Sequence, residues 1–148
     1  MRYKVALALE KTYLFTEEVK KRMKNKKIHD NINIYLVRHG EAANSWAEAL
    51  DSPLSELGKQ QAKAVSRSFG KSPIAIISSP MVRAKQTAAP LAQIWGVSVK
   101  IDDCFIEIPS ASEESDRKKW LQQLFKQEWN MVNRKIWEWR ERAFEALL

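Results

Sequence analysis

From residue 32 onward the chain alternates short apolar runs with amphipathic stretches, each bounded by turn residues. "INIYLV" (32–37) is β-branched and apolar, the pattern of a buried strand. "DSPLSELGKQQAKAVSRSFG" (51–70) begins with turn chemistry and then predicts a helix. Ser55 is a plausible N-cap, Ala62, Val65 and Phe69 share a face, and Gly70 suits the left-handed closing conformation. "IAIIS" (74–78) predicts a second buried strand and "VSVKI" (97–101) a third. Between them lies a helical pattern with Ala84, Ala88, Leu91 and Trp95 as its inner stripe and Gly96 as its stop. Ser79 can cap that helix and Pro80 suits its first position, while Pro90 should kink or split it.

Strand, helix, strand, helix, strand implies an α/β protein with a parallel sheet and covering helices. After "FIEIPS" (105–110) the pattern turns helical, with Ser110 and Glu113 at capping-box spacing. Leu121, Phe125, Trp129, Val132, Ile136, Trp139, Ala143 and Leu147 recur every three or four residues. That stripe reads as core packing. The front of the chain says less: "KVALAL" fits a strand or the first turns of a helix, and "TEEVKKRMKNKK" fits a polar helix.

Composition narrows the class. A chain of 148 residues, 45% hydrophobic and 29% charged, suits one globular domain. It has no apolar run long enough to span a bilayer and no secretory cleavage pattern, and Cys104 is its single cysteine, so a reducing cytoplasmic setting is expected. The +7 net charge is unevenly placed. Nine of the 25 Lys/Arg and four of the 18 Asp/Glu fall in residues 1–31, which leaves little excess elsewhere. The run "KKRMKNKK" (20–27) has no interleaved aromatics, so a solvated helix face or arm is favoured over a nucleic-acid or membrane contact.

The chemistry sits at the strand ends, where parallel sheets bind ligands. Arg38, His39 and Gly40 directly follow "INIYLV". A neutral imidazole is a nucleophile towards phosphorus, a guanidinium clamps phosphoryl oxygens, and glycine admits an anion close to the backbone. A lone Arg-His pair is weak evidence, but Arg83 strengthens it. Arg83 lies in the first turn of a helix that follows a neighbouring strand, where backbone donors already favour an anion.

"YLVRHGE", "PLSELGKQQA", "IISSPMVRAKQTA" and "FIEI", in this order and spacing, resemble the histidine phosphatase superfamily, also called phosphoglycerate-mutase-like. The continuation "EIPS", "RKKWL", "EWN" and "WEWR" is similar to a bacterial branch of that family. The resemblance implies a three-layer α/β/α fold with a mostly parallel sheet over residues 32–148, preceded by a basic extension, 1–31. It implies a metal-free, cofactor-free phosphatase that hydrolyses a small phosphomonoester through a phosphohistidine. His39 would be the nucleophile, Arg38 and Arg83 the phosphate holders, Glu107 the proton donor, and Asn44 and Ser45 further phosphate contacts. Glu41 would support the loop.

Family members also carry a second histidine after a later strand. This chain has only His29 and His39, and His29 matches nothing in the motif. The sequence therefore reads as C-terminally incomplete, with an uncovered sheet edge that invites association. Two alternatives stay open: a phosphate-binding remnant without turnover, and an interaction protein that uses its basic front on nucleic acid or acidic lipid.

Overall fold

The computed structural model describes residues 2–7, 32–44, 51–70, 75–109, 117–128 and 130–147. His29, Ser45, Ser110, Glu113, Trp129 and the lysine run 20–27 lie outside the described residues. The chain forms two compact units, Met1–Glu107 and Ile108–Leu148.

Among the described residues the first unit has four parallel strands: β1 (Arg2–Leu7), β2 (Ile32–Val37), β3 (Ala75–Ser78) and β4 (Val99–Ile101), in the order β2-β1-β3-β4. The segment read as part of an extension thus supplies an interior strand. "KVALAL" fits either period on its own; pairing to β2 on one side and β3 on the other makes its first four residues, Lys4 to Leu7, part of a strand, while Ala8 and Leu9 lie outside the described residues. In consequence β2 is an edge strand among the described strands, not a buried one, and Tyr35 on it is exposed. Leu7 pairs with both Val37 and Ser78, so the carboxyl ends of β1, β2 and β3 finish at one level.

Helix α1 (Glu56–Ser68) follows a two-sided cap: Ser55 Oγ accepts from Gly58 N and donates to Glu41 Oε1. On its exposed face Lys59 draws the Glu56 carboxyl below its ordinary range by a hydrogen bond and by charge. That small surface contribution is present above the ordinary carboxylate range and is lost as pH falls through the lowered value. The helix ends at Phe69 in an extended conformation, and Gly70 has no positive φ. Closure comes instead from packing: Phe69 stands edge-on to both Tyr35 and Trp95, and Trp95 Nε1 donates to the Gly70 carbonyl.

Helix α2 (Val82–Trp95) ends at Gly96, which takes the left-handed conformation at φ 66°. Its start lies later than Ser79 and Pro80 suggest. Ser79 Oγ accepts from Met81 N, Met81 is the N-cap, and Val82 N donates to Asp51 from 31 residues upstream. Pro90 lies inside the helix and does not split it. One missing N–H is outweighed by the burial of Ala88, Leu91 and Ala92 around it, which pack with Ile76 as the core.

Gly40 and Gly58 bring the loop after β2 against α1. A Cβ on Gly58 would overlap the Glu41 carbonyl, and one on Gly40 would overlap the Gly58 carbonyl. Backbone cannot yield as a side-chain tip can. Gly58→Ala is therefore expected to destabilise by about 2 kcal/mol or more, as overpacked positions do. A thermal melt by circular dichroism reads this, and a wild-type melting temperature would show that the loop has room.

In the second unit the apolar stripe does not run as one helix. It breaks into α3 (Arg117–Leu124) and α4 (Arg134–Leu147), because Gln123 and Leu124 carbonyls close a turn and Asn133 Oδ1 caps the new helix by accepting from Lys135 N. Ile136, Trp139, Ala143 and Leu147 are buried as the stripe predicts, whereas Phe125 is exposed. No described helix is long and apolar enough to cross a membrane.

Candidate active site

The loop leaving β2 reaches α2. Gly40 N donates to Thr87 Oγ1 (3.1 Å), and the same hydroxyl donates to the Arg83 carbonyl (2.8 Å). Thr87 is buried, so this hydroxyl fixes the peptide after His39 against the first turns of α2. His39 Nδ1 lies 2.7 Å from the Gly40 carbonyl. A carbonyl only accepts, so Nδ1 carries the proton and Nε2 the lone pair. Arg83 Nε donates to that Nε2 at 3.1 Å, which agrees with the same neutral tautomer.

Arg83 is 5% exposed and is the hub of the site. Its Nη2 donates to Glu107 Oε2 at 2.6 Å, and its Nη1 lies 3.7 Å from Asp51 Oδ1. Burial of a guanidinium is tolerated here because carboxylates compensate it. Glu107 reaches Arg83 through a short structured path. After β4, Asp102 N donates to the Ser78 carbonyl and Asp102 Oδ1 accepts from Cys104 N, opening a 3-10 turn at Asp103–Phe105. Phe105, 1% exposed, pins that turn, and Glu107 follows two residues later.

His39, Arg83 and Glu107 are thus brought together. Arg38, the first residue after β2, is exposed. Asn44 is exposed, and its backbone N–H donates to Ser52 Oγ. Ser45 lies outside the described residues. Glu41 is tied to α1: its N–H donates to Gln61 Oε1 and its carboxylate accepts from Ser55 Oγ. Sequence reasoning missed Asp51 and Thr87. Both act through contacts 31 and more residues away in sequence, and neither residue type is distinctive at its position. Among the described residues, no three His, Cys, Asp or Glu side chains are grouped as metal ligands.

Several known proteins are similar to this chain. A metal-independent phosphoserine phosphatase of Arabidopsis thaliana is 38% identical over 90 residues, 54% of this chain and 34% of that protein. A probable phosphoglycerate mutase of Yersinia pestis is 32% identical over 106 residues, 63% of this chain and 49% of that one. A mycobacterial glucosyl-3-phosphoglycerate phosphatase, solved with inorganic phosphate, aligns at 29% identity and a TM-score of 0.45, over 60% of this chain and 45% of its own. The chain spans about half or less of the length of the curated relatives it matches. With residues 34–147 matching the sequence profile of the histidine phosphatase superfamily, branch 1, the chain belongs to that superfamily.

Proposed function

We propose that this chain carries the nucleophile and the phosphate grip of a phosphomonoester hydrolase that works through a phosphohistidine. The observation that carries this reading is the orientation of His39. Its Nδ1–H is committed to the Gly40 carbonyl, so Nε2 presents a lone pair next to the Arg83 guanidinium.

The Arg83 N–H groups face His39 and Glu107. A phosphate group entering here takes over those donors, with Arg38 supplying a second guanidinium from the end of β2. Nε2 is then free to attack. The N–P bond forms as the P–O ester bond breaks; a monoanionic substrate brings the proton, which the Glu107 carboxylate, displaced from Arg83, takes up and hands to the leaving oxygen. A water then attacks the phosphohistidine and gives its proton to Glu107. The N–P bond breaks, and inorganic phosphate and neutral His39 are regenerated. The substrate class is a small phosphomonoester, in keeping with the phosphoserine phosphatase among the similar proteins.

Incubation with an isotopically labelled aryl phosphate, followed by a denaturing quench, is expected to trap acid-labile, base-stable phosphate on the chain. A His39→Ala variant should trap none. Label retained in that variant would place the nucleophile elsewhere. A second reading, phosphate binding without turnover, is favoured by the engagement of the Arg83 guanidinium with the Glu107 and Asp51 carboxylates. Under that reading phosphate raises the melting temperature while no label is trapped.

A further inference from the structure

We propose that Asp51 is an internal anion that occupies the start of α2 and sets how tightly the site holds a phosphate oxyanion; the inference rests on the phosphate-binding reading above.

The start of a helix of 14 residues offers N–H donors and a partial positive charge to an anion. In α2 this place is already taken. The N-cap Met81 makes no side-chain cap, and the first helical N–H, that of Val82, donates to Asp51 Oδ1 at 2.7 Å. The same oxygen lies 3.7 Å from Arg83 Nη1. Thus one carboxylate faces both of the features that attract phosphate to this corner: the helix start and the buried guanidinium. Asp51 is held there from outside α2, by the loop that leads into α1. Ser52, next to it, is buried and accepts from Asn44 N.

The side chain of Asp51 is 42% exposed, so its charge is partly screened but not abolished. A dianion arriving at His39 Nε2 and Arg83 meets this charge as a competitor. The consequence is a looser grip on free phosphate, which suits an enzyme that must release phosphate at every turnover.

Asp51→Asn tests the charge alone, because the amide oxygen still accepts from Val82 N–H and keeps the start of α2 capped. Asp51→Glu keeps the charge and serves as its partner control. Binding of inorganic phosphate and of orthovanadate to the full chain is measured by calorimetry, at low and at high salt. Asp51→Asn is expected to bind both anions about three- to tenfold more tightly at low salt, with the gap narrowing at high salt, as a screened charge requires. Asp51→Glu should stay near wild type. Tighter binding confined to the Asn variant, or binding seen in that variant and absent from the wild type, supports the inference. If wild type binds and Asp51→Asn is unchanged or weaker, the role of Asp51 is overturned while the phosphatase reading stands. If neither chain binds either anion, both fall together.

Discussion

Arg83→Lys is expected to cost the proposed phosphoryl transfer about two to three powers of ten in kcat/KM while the chain stays folded. The reason is geometric. Arg83 spends Nε on His39, Nη2 on Glu107 and faces Asp51 with Nη1, so a single planar group meets three partners from β2's loop, the segment after β4 and the loop before α1. An ammonium keeps the charge but is a point, not a fork. It can hold Glu107 or lie near His39; it cannot do both along fixed directions, nor present parallel donors to two phosphoryl oxygens. Steady-state hydrolysis of an aryl phosphate reads the effect, and a lysine variant with wild-type kcat/KM would remove Arg83 from phosphate handling. Arg83→Met is a different experiment. It takes the cation away from a Glu107 side chain that is only 12% exposed, so it is expected to lower stability as well, by about 3–5 kcal/mol. Loss of activity in the methionine variant alone would therefore say little about chemistry, and the lysine variant carries the test.

What the sequence revealed and what it concealed divide along the range of the interactions involved. Ser55 capping α1, the buried run of β3, the inner stripe of α2 and the Gly96 stop all depend on neighbours within a turn or two, and each lies where the pattern places it. The start of α2 was concealed because its cap, Asp51, comes from another loop. As a signal for splitting the helix, Pro90 was misleading because propensity counts the lost hydrogen bond but not the packing of Ala88 and Leu91 beside it. Gly70 was misleading because Phe69 and Trp95 close that corner through ring contacts. Arg83 was legible in the sequence because a basic residue in the first turn of a helix after a strand has a defined direction. Glu107 was harder: its position depends on the 3-10 turn anchored by Phe105, and no periodicity announces such a turn. The largest gap was "KVALAL". So short a segment, five apolar residues after Lys4, declares itself only through its partners, and those lie about 30 and 71 residues further along the chain.

That strand supports the second large effect. Deleting residues 1–7, or placing proline at Val5, is expected to unfold the first unit. β1 is hydrogen-bonded on both sides, and among the described strands β2 pairs with β1 alone. Without β1, β2 and β3 stand apart by two inter-strand spacings, roughly 9–10 Å, too far for any backbone bond to join them. Proline in an interior strand removes a ladder donor and adds a clash, costing about 3 kcal/mol or more, a large share of the stability of a domain this size. The functional consequence follows from position. β2 carries Arg38 and His39, β3 leads into the helix that carries Arg83, and β1 is what holds those two strand ends level. A folded chain in which β1 was disrupted would have to lose the 3.1 Å contact between His39 and Arg83. Far-UV circular dichroism melts and limited proteolysis would show the loss of cooperative unfolding in both variants. If the truncated chain instead melts as wild type and still traps phosphate on His39, β2 and β3 pair directly and residues 2–7 are the detached extension that their composition alone suggests.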